Sequence, residues 1–261
     1  VFPFILPKNM EYGIINLAVV PLRAQAKHSS EMVTQLLFGE TFEIKGRYEK
    51  WLRIISTFDG YEGWLHELQF APLETSAYTN LSNIDTITTK SFATAALKQA
   101  DNSILYLPFG ATLPFFANGK CTVGTDTFAA DTQGDIINLP DIAYSFINSP
   151  YQWGGRTHFG VDCSGFSQAV LRTQGVNLLR DAWQQAEQGT IVDFLLSAKL
   201  GDLAFFDNEE GRITHVGLML NNEMIIHASG KVKIEQIDDQ GIYSAEQRRY
   251  THKLRIIKRF L

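Results

Sequence analysis

Cys163 stands in the run Asp162-Cys163-Ser164-Gly165-Phe166, where a glycine-rich loop gives way to helical apolar spacing. A cysteine at a helix start is suited to nucleophilic work, because the first backbone N–H groups of a helix favour thiolate over thiol. Such chemistry also needs a base within hydrogen-bond reach and a group that orients the base. His215 opens one apolar run and His227 closes the next, with Asn221-Asn222 as the turn between them. Register decides whether the two imidazoles meet. A two-residue loop pairing Leu220 with Glu223 sets His215 opposite Ala228 and puts the rings on opposite faces. A three-residue loop, or a bulge, pairs Met219 with Glu223 and brings His215 directly across from His227, with Cβ atoms about 5 Å apart. A catalytic site requires the odd register.

Other residues compete for these roles. His158, just upstream of Cys163 in Thr157-His158-Phe159-Gly160, is a rival base and reads as a loop residue. Cys121 follows Asn118-Gly119-Lys120 in an expected turn with no histidine near it in sequence, so a structural role is expected. The chain has no C-x-x-C, no H-E-x-x-H and no glycine-rich phosphate loop, so neither a metal nor an organic cofactor is implied.

The elements that must position these residues follow from local patterns. Residues 163–173 read as a helix with Gly175 as its stop, preceded by a helix at Asp141–Asn148 and followed by another at Ala182–Gln188. Strand runs follow at Asp202–Phe206, His215–Leu220 and Met224–His227. Helices followed by consecutive short strands indicate an α+β layer fold over residues 138–261. Upstream, residues 11–72 carry short strand runs at Gly13–Val20, Glu40–Ile44, Trp51–Ile55 and Gly63–Leu65, with an Asp59-Gly60 turn, as in a small barrel. Phe38-Gly39-Glu40-Thr41-Phe42 is echoed by Phe109-Gly110-Ala111-Thr112-Leu113, which predicts a second barrel of the same kind at 73–134. Residues 1–10 are expected to form an N-terminal arm.

Composition narrows the function classes. An apolar share of 45% and a charged share of 20% exclude wholesale disorder. A net charge of -5 argues against a nucleic-acid partner. The C-terminal basic residues from Arg248 to Arg259 alternate with Leu254, Ile256 and Ile257, which suits a last strand with one wet face better than a polyanion patch. No apolar run approaches the roughly 20 residues of a spanning helix, so no transmembrane segment is expected. The first residue is Val, which fits either a removed targeting segment or a trimmed chain.

Pro150-Tyr151-Gln152-Trp153-Gly154-Gly155, Phe159-Gly160-Val161-Asp162-Cys163-Ser164-Gly165-Phe166, His215-Val216-Gly217 and Ile226-His227-Ala228 together resemble the NlpC-type family of bacterial cell-wall cysteine peptidases. The resemblance implies a papain-like α+β core with Cys163 as nucleophile, His215 as general base and His227 orienting it. Trp51-Leu52-Arg53-Ile54 and Asp59-Gly60-Tyr61-Glu62-Gly63-Trp64 look like a bacterial SH3-like domain. Two such barrels ahead of the catalytic domain resemble the subgroup of γ-D-glutamyl-L-diamino-acid endopeptidases, also called dipeptidyl-peptidase VI. That likeness implies cleavage between γ-D-Glu and a diamino acid in murein tripeptides or tetrapeptides with a free N-terminal L-Ala.

The same resemblance implies that Tyr151, Trp153, Asp162 and Ser164 read the substrate end. Arg180-Asp181 resembles a pair the subgroup carries, although Asp181 equally suits a helix N-cap. A substrate carboxylate would want a cation such as Arg, and a free amine an acceptor such as Asp162. Glu40 and Tyr61 are nominated from the first barrel, Glu40 because the second barrel has Ala111 there; a solvated turn glutamate is the alternative. The first barrel is expected to close one end of the groove, which implies peptide recycling or scavenging by a monomer. A hydrolase of intact peptidoglycan anchored by its barrels, and a Cys-His acyltransferase or amidase, are the rival readings. The cell-wall substrate and the missing start Met favour an exported location over a cytoplasmic one.

Overall fold

The computed structural model describes residues 11–82, 84, 87–131 and 138–261. The expected arm at 1–10 and the end of the expected second barrel lie outside these residues. The chain divides into two compact units, Val1–Asp135 and Ile136–Leu261. Among the described residues no helix is long and apolar enough to cross a membrane.

The first unit opens with seven short strands, β1 (Tyr12–Ile14), β2 (Val19–Arg23), β3 (Met32–Leu37), β4 (Thr41–Tyr48), β5 (Trp51–Ser56), β6 (Glu62–His66) and β7 (Ala71–Leu73). They form one antiparallel sheet in the order β3-β2-β6-β5-β4-β1-β7 around Ile15, Val20, Leu22, Leu36, Phe42, Leu52, Ile54, Leu65 and Phe70. The single run expected at Gly13–Val20 is in fact two strands. The chain breaks after Ile14 because Ile15 turns aside to bond the Gly39-Glu40 turn, donating to the Glu40 carbonyl at 2.9 Å and accepting from Gly39 N–H at 2.8 Å.

A short helix, α1 (Thr75–Ser82), leads to β8 (Ile87–Thr88), β9 (Ala93–Lys98), β10 (Ile104–Pro108), β11 (Thr112–Leu113), β12 (Lys120–Val123) and β13 (Asp126–Ala130). β10-β9-β13-β12 make one sheet and β11-β8 a separate pair. Ile14 and Phe38 share a buried cluster with Leu107, Ala111, Cys121, Val123 and Phe128. The two sheets of this unit therefore have apolar core in common. Cys121 lies in β12 and not in a turn, and burial pushes its thiol up to about 11, as befits a packing residue.

The second unit begins with α2 (Leu139–Ser145), which starts earlier than expected because Asn138 caps it, its Oδ1 accepting from Asp141 N–H at 2.9 Å. Two short strands, β14 (Arg156–Thr157) and β15 (Gly160–Val161), precede α3 (Cys163–Arg172) and α4 (Ala182–Gln185). A seven-stranded antiparallel sheet follows, from β16 (Thr190–Val192), β17 (Leu203–Asp207), β18 (Ile213–Met219), β19 (Met224–Ser229), β20 (Lys231–Asp238), β21 (Gly241–Ser244) and β22 (Arg249–Arg259). β22 also pairs with β21, so the strands from β22 through β17–β20 to β21 close on themselves. Phe206, Met219, Ile225, Ile237, Ile242 and Ile257 form one of its buried clusters. The basic C-terminal strand is knit into this sheet, Arg259 holding Asp202 with both Nε (2.8 Å) and Nη2 (2.6 Å).

Candidate active site

Cys163 is the first residue of α3. The loop ahead of it packs against the helix start so closely that side chains are excluded. A Cβ on Gly165 would lie 2.2 Å from the Gly155 carbonyl oxygen, and one on Gly155 would lie 2.4 Å from that of Gly160. These contacts fix the Gly-rich loop to α3, with Asp162 N–H donating to the Gly155 oxygen at 3.2 Å.

Asp162 is the N-cap of α3 and its carboxylate is crowded with donors. Oδ1 accepts from Gly165 N–H at 2.7 Å, Ser164 Oγ at 3.3 Å and Arg180 Nη1 at 3.0 Å; Oδ2 accepts from Gly154 N–H at 2.8 Å and Arg180 Nη2 at 2.6 Å. A carboxylate offers about four lone-pair sites, so these partners already saturate it. Arg180 is only 1% exposed and also donates to Ser164 Oγ at 2.8 Å. Inside the protein, Asp162 and Arg180 thus pair with each other. The two charges satisfy each other, as burial requires. Asp181 closes a capping box at the start of α4, with Gln184 Oε1 accepting from Asp181 N–H at 2.9 Å.

The histidines come together by a register different from the one anticipated. In the β18–β19 ladder Gly217 faces His227, Leu218 faces Ile226 and Met219 faces Ile225. The connection runs through Asn221–Glu223, with Asn221 Oδ1 accepting from the N–H groups of Glu223 and Met224 at 2.8 and 2.9 Å. The loop keeps the parity that puts both imidazoles on one face, but His215 is diagonal to His227. Diagonal neighbours are within reach of long or aromatic side chains. His215 Nε2 and His227 Nδ1 are 2.9 Å apart, with rings at 85°. The other nitrogen of His227, Nε2, is 2.9 Å from Glu235 Oε2 on β20.

Cys163 meets this row through β18, where the Val216 backbone N–H donates to its sulfur. The thiol is pushed up to about 12, first by burial and then by the Asp162 charge, against the pull of the Val216 and Ser164 N–H groups. The helix start alone implied the opposite direction; desolvation outweighs it in the unliganded site. Burial also holds His215 well below the ordinary imidazole range, assisted by the neighbouring His227 and His252. Burial thus favours the neutral form of both groups.

The remaining nominated residues fall on both units. Tyr151 is half-buried, and its phenol is pushed up to about 12 by burial, then by Cys163 and Asp162, which places it at the thiol. Trp153 is 58% exposed on the same loop. His158 lies in the turn between β14 and β15, as expected of a loop residue, but is buried: it stacks on Phe146 at 3.7 Å, bonds Ser145 Oγ through Nε2 at 3.0 Å, and is held down to about 4 by burial. In the first unit Glu40 is buried and its Oε2 accepts from Leu37 N–H at 3.0 Å, so it is not a solvated turn residue. Tyr61 packs against the first sheet's core.

Comparison with known proteins agrees with this geometry. Residues 148–252 match the NlpC/P60 family, and residues 22–69 match the bacterial dipeptidyl-peptidase Sh3 domain. A γ-D-glutamyl-L-lysine dipeptidyl-peptidase of Bacillus subtilis is 32% identical over 217 residues, covering 75% of this chain and 71% of that protein. The chain belongs to the NlpC/P60 family. Its fold is that of an NlpC/P60 family protein from Bacillus cereus, with a TM-score of 0.79 at 18% identity over 96% of this chain and 99% of the other. A second solved NlpC/P60 endopeptidase, from Photobacterium damselae subsp. piscicida, superposes with a TM-score of 0.71 at 19% identity, covering 98% and 72% of the two chains. This NlpC/P60 protein thus has an SH3-like N-terminal domain and a C-terminal domain of mixed α and β content.

Two neighbours of the histidine pair escaped the sequence reading. Glu235 sits in Lys231-Val232-Lys233-Ile234-Glu235, an alternation that looks like the wet face of a strand. His252 lies on the basic C-terminal strand, yet its ring stacks on His215 at 4.1 Å and 27°, and burial holds it down to about 4. The two-residue spacing of Glu235 from Lys233, which puts both on the face of His227, is the only local hint. One ring nitrogen from each of His215, His227 and His252 lies within 4.8 Å of the others, a donor set that suits a divalent cation. His215 and His227 already bond each other through facing nitrogens, so an ion would have to part them.

Proposed function

We propose that this protein is a cysteine endopeptidase of cell-wall peptides that hydrolyses the bond between γ-D-Glu and a diamino acid in short murein peptides with a free N-terminal L-Ala. The reading is supported by the contact of the Cys163 sulfur with the backbone of Val216, next in sequence to His215, and by the His215–His227 pair at 2.9 Å. In this reading His215 takes the thiol proton and the sulfur attacks the γ-glutamyl carbonyl. The Cys163 backbone N–H, free at the helix start, donates to the resulting oxyanion. Protonated His215 then delivers its proton to the leaving amine, and water attacks the acyl-enzyme with His215 as base. His227 holds His215 in place. The bond chosen follows from likeness to relatives named γ-D-glutamyl-L-lysine dipeptidyl-peptidase in two Bacillus species and dipeptidyl-peptidase 6 in Lysinibacillus sphaericus.

Tyr151, Trp153, Asp162 and Ser164 are read as the residues that bind the substrate end, with Arg180 and Asp181 beside them and Arg180 holding the Asp162 carboxylate in place. Residues 73–134 are read as a second, divergent SH3-like domain. The support is the repeated turn: Gly39 and Gly110 adopt φ of 77° and 79°, and Thr89 bonds Gly110 and Ala111 through its backbone as Ile15 bonds Gly39 and Glu40. Residues 138–261 are read as the papain-like catalytic domain, and Glu40 and Tyr61 as substrate-binding residues of the first barrel.

The test uses L-Ala-γ-D-Glu-L-Lys and its meso-diaminopimelate counterpart, each free and N-acetylated, with products followed by mass spectrometry. Release of L-Ala-D-Glu from the free peptides only, lost in Cys163→Ala, supports the reading. Equal cleavage of the acetylated peptides favours a hydrolase of polymeric wall. Cleavage of none overturns the proposed substrate.

A further inference from the structure

Glu235 lies beyond the pair of histidines and controls where their protons sit. Its carboxylate accepts only, so the proton in the 2.9 Å contact between Glu235 Oε2 and His227 Nε2 belongs to His227. A neutral imidazole carries one N–H, which leaves His227 Nδ1 with a lone pair. The 2.9 Å contact between that nitrogen and His215 Nε2 then requires His215 to be the donor. His215 Nδ1 is left as the lone-pair nitrogen. Each bond dictates the next, and the series starts at the carboxylate.

We propose that Glu235 is a positioning residue of the reaction, which, acting through His227, makes Nδ1 of His215 the nitrogen that takes the Cys163 proton. The proposal rests on the cysteine-peptidase reading of the site. The charges balance: the proton leaves sulfur for His215 Nδ1, and the imidazolium formed is stabilised through His227 by the negative carboxylate. A lowered carboxyl, at about 2, keeps Glu235 ionised throughout. Other groups face it as well. Lys233 Nζ, beside it on β20, is 3.2 Å from Oε2, Ser244 donates from β21, and the His252 ring on β22 stacks against His215. A purely structural reading would make Glu235 no more than the partner of Lys233.

The two readings part in the variant Glu235→Gln. Its amide oxygen can still accept from His227 Nε2, and Lys233, 3.2 Å from the same Oε2, opposes an NH₂ there, so the variant keeps the donors of the row and removes the negative charge that stabilises the imidazolium. Here a fall in kcat of at least about 10²-fold is expected, with KM within about 3-fold, the size of one acid–base contribution. Glu235→Asp, which keeps the carboxylate, should recover part of the rate. Lys233→Met, which removes only the ion pair, should retain kcat within about 3-fold.

Imidazole ¹⁵N shifts of the full chain, recorded in the Cys163→Ala background, read the tautomers without any turnover. The expected pattern is a protonated Nε2 and an unprotonated Nδ1 on both His215 and His227. Unprotonated Nε2 on His215 would overturn the proposal even if Glu235→Gln fails to fold. So would a folded Glu235→Gln protein with kcat unchanged. A wild-type chain that shows the expected tautomers but cleaves no peptide would leave the relay standing and remove the peptidase reading instead.

Discussion

Gly217 stands directly across from His227 in the β18–β19 ladder, and His215, two residues earlier on the same face, reaches His227 across the space that a side chain at 217 would fill. A Cβ at Gly217 would lie 2.9 Å from His227 Cβ and 2.7 Å from Ile225 Cδ1. Gly217→Ala should therefore push the His227 ring off its bond to His215. Misplacing a reacting group by about 1 Å costs about 10²-fold, so a loss of that order in kcat is expected. Overpacking costs about 1–3 kcal/mol. Steady-state kinetics beside urea unfolding separates the two effects; unchanged kcat would show that the ladder absorbs the methyl group.

Arg180 and Asp162 form a buried pair with two parallel bonds at 3.0 and 2.6 Å. Removing one partner strands the other charge, so Arg180→Met and Asp162→Asn should each destabilise by about 3–5 kcal/mol. The double variant should cost clearly less than their sum. Arg180→Lys should fall short of wild type because an ammonium cannot make both bonds. Urea unfolding of the four proteins checks this, and additive losses would mean that the pair is not coupled.

Acid should destabilise the protein well above the carboxylate range. Burial lowers His158 and His252 to about 4 from the ordinary 6.5, and lowers His215 and His227 as well. The unfolded chain binds protons that the folded chain refuses, so stability rises with pH through this window and is lost as pH falls from 6.5 toward 4. Each histidine contributes a slope of at most about 1.4 kcal/mol per pH unit. Glu235 acts lower, since a carboxyl depressed from 4.5 to about 2 adds stability that is lost only as pH falls below 4.5. Tm measured from pH 7 to pH 4 should drop steadily; a flat profile would show that these rings are solvated.

Trp153 is 58% exposed on the loop that precedes the nucleophile. Trp153→Ala should leave stability within about 0.5 kcal/mol of wild type, as for other exposed positions. If Trp153 touches substrate, KM should rise while the Cys163 alkylation rate without substrate stays the same. Equal KM for both proteins would remove Trp153 from the binding site.

What was legible in the chain was local. The helix at Cys163, the Gly-rich loop and the two strands that carry His215 and His227 are written in apolar periodicity and punctuation over a few residues. Boundaries slipped where a backbone bond from elsewhere intervened, as at Ile15, whose partners in the Gly39-Glu40 turn cut one expected strand into two.

The sequence by itself determined which side chains could react and which elements hold them, because helix starts and strand faces depend on near neighbours. Tertiary structure decided who meets whom. The β18–β19 register depends on how Asn221 folds the turn, and a different choice moves every side chain on the strand. Asp162 and Arg180 are distant in the chain, and only the fold buries them together so that each neutralises the other. Glu235 and His252 sit among charged residues on strands that read as wet, and only the closing of the sheet through β21 and β22 turns their side chains toward the histidine pair.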